Sequence, residues 1–375
     1  MKKSKDTKRK IYLDYAASYE PNPGSIHILG MEQKKLLETA RRNAAGFLNA
    51  RPEEVIFTSG GTESNNIAIL GTLKYVKTLH IVTTSIEHPS VLEACRISGA
   101  DVTFVPVEAN GVVDPKKIRK ALKKNTVLVS VMYANNEIGT IQPIREIAKE
   151  IRHFKKENGT QIYFHTDAVQ ATNLEMNVER LGVDLLSLSG AKLPRGAGAG
   201  ILFKRKSLTL SPVFGGGDQE QGIRPGTENV SAIAAMVGAL GLIRKNAEKD
   251  NKKLSELKKY FISELERSNV LKNVRMNGDM ENSLPNILNI TLDKIPSDLI
   301  VIELSARGVY CSSKSACKSG EKGASHVLAA IYPEADPEIG GVRFSFREKT
   351  EKRDINYVVS ALEEIFTKLK KWYTL

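Results

Sequence analysis

Cysteine is scarce in this chain, with three in 375 residues, at positions 95, 311 and 317. So small a number excludes a disulfide framework and leaves an odd thiol over. Cys311 and Cys317 are not spaced as a CxxC pair, which argues against structural zinc and a redox dithiol. Long hydrophobic runs are missing too; none approaches the roughly 20 residues that cross a bilayer. The basic opening MKKSKDTKRK has no apolar stretch behind it, so it does not read as a secretory signal. No membrane partner and a cytoplasmic location are therefore expected. Acidic residues are outnumbered, 43 against 55 Lys and Arg, leaving a net charge of +12. Such an excess can attract anions or nucleic acid. Here the basic residues are spread over segments such as 252–259 and the N-terminal tail, without interleaved aromatics. Solvated helix faces are the better reading, and no nucleic-acid partner is expected.

What the chain does have is rhythm. Apolar content is 41%, and the length suffices for two domains with their own cores. Residues 11–17 read as a short strand and residues 25–48 as an amphipathic helix. Strands are expected at 55–58, 79–83, 102–106, 126–131 and 161–165, with helices at 89–98, 115–122 and 143–155 between them. This alternation predicts an α/β fold with a mainly parallel sheet flanked by helices. Helical content fills roughly 230–268, after which strands at 286–292 and 341–346 and helices at 297–305, 324–331 and 352–371 indicate a smaller α+β unit. The expected division is 23–250 for the large domain and 1–22 with 251–375 for the small one, the boundary falling in a long helix near Asn251.

The centre of the chain is the stretch 163–200, YFHTDAVQATNLEMNVERLGVDLLSLSGAKLPRGAGAG. One apolar run ends at Asp167, with Gln170 three residues on, and a second run, 183–189, leads to Lys192. Ligands of such sheets sit at the carboxyl ends of strands, so both side chains should meet in one crevice. A lysine and a carboxylate there suit pyridoxal 5'-phosphate. The lysine forms the Schiff base, and the carboxylate keeps the pyridine nitrogen protonated. Burial would favour a neutral, nucleophilic lysine. Upstream, strand 55–58 runs through Ser59-Gly60-Gly61-Thr62 into a helix, offering backbone N–H groups to a phosphate; a plain cap by Ser59 or Thr62 is the alternative. His88, after strand 79–83, could stack on a planar cofactor, and Asn136 follows strand 126–131 in the same way.

Taken together, LDYAA from residue 13, GGTESNN from 60, IEHPS from 86, the Asp167–Lys192 stretch, RPGTENV from 224, SSKSACKSG from 312 and RFSF from 343 resemble the cysteine desulfurases. These are fold type I pyridoxal-phosphate enzymes of the class V aminotransferase group, and the resemblance runs nearly the whole chain. It implies Lys192 as the covalent anchor of the cofactor, Asp167 at the ring nitrogen, Gln170 at the ring hydroxyl and His88 on the ring face. Gly61, Thr62 and Ser189 would hold the phosphate, and Asn136 would touch cofactor or substrate. Thr227 would reach the phosphate of a partner subunit, implying a homodimer. Arg343 would take the carboxylate of the substrate L-cysteine. Cys317 would accept the sulfur as a persulfide and pass it to an acceptor protein, for iron–sulfur cluster assembly or tRNA thiolation. Lys314 and Lys318 beside it favour a thiolate, whereas Cys95 reads as an inert core residue.

The chain departs from the family at three places. Ala191 stands where His usually precedes the lysine, the segment after LDYAA is short, and Arg347 replaces a usual glycine after RFSF. Another enzyme of the same fold, such as a selenocysteine lyase or an aminotransferase, and a catalytically weakened scaffold protein are the alternatives.

Overall fold

A computed structural model describes residues 11–73, 79–196, 198–271, 274–292, 294–313, 325–334, 340–369 and 371–373. The chain enters as turn and coil. Residues 11–17, expected as a strand, form none: Ala17 N–H bonds Asp14 O in a turn (3.0 Å) and the apolar side chains of Leu13 and Tyr15 face outward. Apolar and aromatic residues make a strand only where an edge is offered to them.

The first helix, α1 (Ile28–Leu48), starts at His27, whose Nδ1 accepts from Gly30 N–H, and stops at Asn49 in the left-handed region. Strand β1 (Val55–Thr58) follows, then α2 (Gly61–Thr72), β2 (His80–Thr84), α3 (Pro89–Ile97), β3 (Asp101–Val105), α4 (Pro115–Ala121) and β4 (Thr126–Ser130). Next come α5 (Ile144–Asn158), β5 (Tyr163–Asp167), the short α6 (Val178–Leu181), β6 (Leu185–Ser189), a 3-10 turn at Gly190–Lys192 and β7 (Gly200–Lys204). The seven strands form one sheet in the order β1-β7-β6-β5-β4-β2-β3. Only β7 runs against its neighbours. Strands β1, β2, β6 and β7 are buried on both faces, as a sheet between helical layers requires. All six co-directed strands therefore end at one edge, and the loops leaving that edge carry the site.

Helix α7 (Val230–Arg267) is a single 38-residue rod. Residues Val230 to Leu240 of its buried face pack into the core of the large sheet. Leu254, Leu257, Phe261 and Leu265 pack into a second core. That core belongs to β8 (Arg275–Asn277), β9 (Ile287–Thr291), α8 (Ser297–Ala306), β10 (Val342–Ser345) and α10 (Lys352–Leu369), with α9 (His326–Ile331) between α8 and β10. The strands β10-β9-β8 make a small antiparallel sheet, and Phe261 meets Phe344 edge-on at 5.2 Å. We propose the domain boundary near Asn251, where α7 changes partner. Strand β8 is too short to announce itself in the sequence. The seam between the two units lies against the active-site edge: Leu284 N–H bonds Gly139 O (2.8 Å), and Asn289 Nδ2 donates to Glu137 O (3.1 Å).

One buried ion pair ties α1 to the sheet. Arg41 holds Glu220 through both guanidinium nitrogens (2.7 and 2.9 Å), while Glu220 also accepts from Phe57 N–H (2.8 Å). With the Glu220 side chain 1% exposed, Arg41→Ala leaves a buried charge unpaired and should cost about 3–5 kcal/mol. Urea unfolding at fixed cofactor concentration measures it.

Candidate active site

Asp167 is the last residue of β5, and β6 lies beside it with Ser187 opposite. Immediately past the end of β6, the chain turns through Gly190–Lys192 before β7 returns it, with Ser189 facing Gly200. Asp167 is buried. Its Oδ2 accepts from Asn65 Nδ2 (2.8 Å) and its Oδ1 from Val169 N–H (3.0 Å). Lys192, expected to be buried, is exposed; a turn that leaves the sheet edge carries its side chains away from the packed layers. The charges of both nevertheless act on His88. Burial is the main force holding the His88 imidazole below its ordinary pKa; Asp167 opposes it, Lys192 and His326 add to it, and Glu137 opposes it.

The start of α2 is built for close approach. Gly60 occupies the cap position with no side-chain cap, so neither Ser59 nor Thr62 acts as the plain cap that the sequence also allowed. A methyl group on Gly61 would come 2.9 Å from Val169 Cγ2 and 3.3 Å from Ser189 Cβ. The first-turn N–H groups of Gly61 and Thr62 thus open beside Ser189, and helix N-termini of this kind bind phosphate. Gln170 is half-buried in the turn after β5. Thr227 lines a cavity of about 180 Å³ together with Thr58, Ser59, Gly198 and Arg224.

The opposite wall comes from the second unit. Arg343 on β10 donates to the carbonyl of half-buried Asn136 (2.9 Å) and feels the charge of Glu137. Its backbone pairs with Ser312. Cys317, with Lys314 and Lys318, lies outside the described residues. Ahead of and at the start of α9, Ser325 Oγ donates to the Glu137 carboxylate, and His326 Nε2 to the carbonyl of Glu87 (2.8 Å). Cys95 is buried in the core, as expected, with its thiol pushed up to about 12 by burial, and Cys311, half-buried, is pushed up to about 11 for the same reason.

Sequence reasoning missed Asn65, Glu87, Ser90, Glu137 and His326. Glu87 is wholly buried beside His88, and burial raises its carboxyl to about 8; it accepts from Thr84 Oγ1 (2.6 Å) and Met132 N–H (3.0 Å), joining the loops after β2 and β4. Adjacency to His88 and to Asn136 was the available signal for Glu87 and Glu137. For Asn65 it was a spacing of one helical turn from Gly61.

The residues present fit pyridoxal phosphate. They offer anion-binding N–H groups, a buried carboxylate already oriented by two donors, an amine past the neighbouring strand end, and an imidazole on which both charges act. Residues 5–358 match the model of the class-V aminotransferase family. The chain is 42% identical to "Cysteine desulfurase IscS" of Dictyoglomus turgidum, over 97% of this chain and 96% of that one. It is 40% identical to "Putative cysteine desulfurase IscS 1" of Bacillus subtilis, over 90% and 93%. Among solved structures it superposes on a NifS-like protein with a TM-score of 0.84 at 32% identity, over 93% and 92% of the two chains. A NifS-like protein from Rickettsia africae gives 0.81 at 29% identity, over 92% of each. The chain belongs to the class-V aminotransferase family, pyridoxal-phosphate enzymes of fold type I, and within it to the cysteine desulfurases.

Proposed function

We propose that this protein converts L-cysteine to L-alanine and transfers the sulfur to Cys317. The carrying observation is that Asp167 and Lys192 stand at and just past adjoining strand ends, Asp167 bonded to Asn65 of α2, and that both charges act on His88. When bound there, the cofactor supplies an electron sink for the substrate's α-carbon. Arg343, aimed by the Asn136 carbonyl, holds the substrate carboxylate. Lys192 Nζ anchors the cofactor and takes the α-proton, and Asp167 keeps a proton on the ring nitrogen. Gln170 and Asn136 orient the ring and substrate, and Gly61, Thr62 and Ser189 take the phosphate. The Cβ–S bond of L-cysteine breaks and Cβ gains a hydrogen. The sulfur becomes the outer atom of a persulfide on Cys317, so a thiol and L-cysteine become a persulfide and L-alanine.

The proposal extends to a protein acceptor for that sulfur, in iron–sulfur cluster assembly or tRNA thiolation. A homodimer is part of the same proposal. Leu13, Tyr19 and Ile26 are 89%, 87% and 95% exposed, with Ile28 and Met31 beside them. An apolar surface on the N-terminal arm is what a second copy would cover, and Thr227 would then serve the partner's phosphate. A cytoplasmic location completes the reading; Cys95 and Cys311 are unbridged.

A single-turnover assay with L-cysteine tests the reaction. The protein should release alanine and acquire one persulfide per site. Cys317→Ser should form no persulfide and lose at least about 10²-fold in alanine formation. Unchanged alanine release by Cys317→Ser would transfer the protein to another class-V activity.

A further inference from the structure

Behind His88 runs a line of hydrogen bonds that the reaction above leaves unused. The Asn65 amide, buried on α2, donates one hydrogen to Asp167 Oδ2 (2.8 Å) and the other to Ser90 Oγ (2.9 Å). A carboxylate can only accept, so the amide nitrogen is the atom facing Asp167. Ser90 Oγ is then the acceptor from Asn65, and its own hydrogen must point elsewhere. His88 Nδ1 lies 2.8 Å away. The same Nδ1 accepts the backbone N–H of Ser90 (3.1 Å), which is how His88 caps α3. Neither donor can bond to a nitrogen that carries a hydrogen, so the neutral imidazole has its proton on Nε2.

We infer that Asn65 and Ser90 are positioning residues that lock neutral His88 as the Nε2–H tautomer, so that the ring meets the substrate as a hydrogen-bond donor and not as a base. The line joins the Asp167 carboxylate to the His88 imidazole, through two side chains and one backbone group. An Nε2–H donor suits the sulfur of bound L-cysteine, a lone-pair acceptor; as that sulfur passes to Cys317 the electron pair of the Cβ–S bond stays with Cβ, which takes up the proton. The proton abstraction in the reaction then belongs to Lys192 alone. Naming L-cysteine as the group that His88 faces rests on the proposed function; the tautomer does not.

Four charged or titratable groups surround the ring: Asp167 and Lys192 from the sheet edge, Glu137 from the loop after β4, and His326 from α9. All four stay in place when the Ser90 hydroxyl is removed. That hydroxyl donates to the neutral form and so disfavours protonation. Ser90→Ala should therefore raise the His88 pKa by about 0.5–1 unit, one neutral hydrogen bond's worth. Ser90→Thr, which keeps a hydroxyl, should restore it.

The test is nitrogen NMR of the holoenzyme labelled with 15N-histidine, the His88 signals being assigned by their loss in His88→Gln. Expected in the unaltered protein is a bare Nδ1 and a protonated Nε2 through the neutral range, with the titration moved upward in Ser90→Ala and returned in Ser90→Thr. A proton on Nδ1 in the unaltered protein overturns the inference, as does a titration indifferent to Ser90→Ala. Absence of alanine from L-cysteine in the same preparation would instead refute the proposed function and leave the tautomer standing.

Discussion

Lys192→Ala is expected to abolish turnover, with alanine formation falling at least about 10⁴-fold, because one side chain serves both as the covalent anchor of the cofactor and as the base. Borohydride reduction should fix pyridoxal phosphate to the unaltered chain at Lys192 and leave the variant unlabelled after dialysis. The Lys192 side chain is exposed, so the substitution disturbs no packing and the variant should unfold like its parent. Labelling at another lysine would remove the basis for placing the cofactor between β5 and β6.

Asp167→Asn should cost about 10²–10³-fold in turnover while leaving the label at Lys192 intact. Asparagine keeps the volume of the side chain but lacks the charge that holds a proton on the ring nitrogen. The surroundings cannot adapt: Asn65 and Val169 both donate to the carboxylate, so an amide in its place directs its own hydrogens at one of them. Full turnover by Asp167→Asn would mean that the ring nitrogen is held by another group.

The two ends of this argument were legible to different degrees. Asp167 and Lys192 could be placed in one crevice from apolar runs alone, because strands flanked by helices end at a common edge. The alternation of strand and helix from Val55 to Asp167 was readable for the same reason. Residues 11–17 were not, since a short apolar segment says nothing about whether a neighbouring edge exists within the chain. The exposure of Lys192 was hidden because it depends on the reversal of β7, which draws the intervening turn out of the layers. Asn65 and Ser90 were invisible for a third reason. Their partners are 102 and 25 residues away in sequence from Asn65, and polar residues in the first turns of helices are ordinary there. Cys317 is the reverse case, read from its motif and lying outside the described residues.

The 38-residue helix α7 has a thermodynamic consequence. Its two halves are one covalent rod, and each half supplies core side chains to a different sheet. Melting the smaller unit would strip Leu254, Leu257, Phe261 and Leu265 of their cover and fray the rod toward the residues that seal the larger one. The two units should therefore lose their structure as one cooperative event, so that the wall carrying Arg343 and the floor carrying Asp167 are present together or not at all.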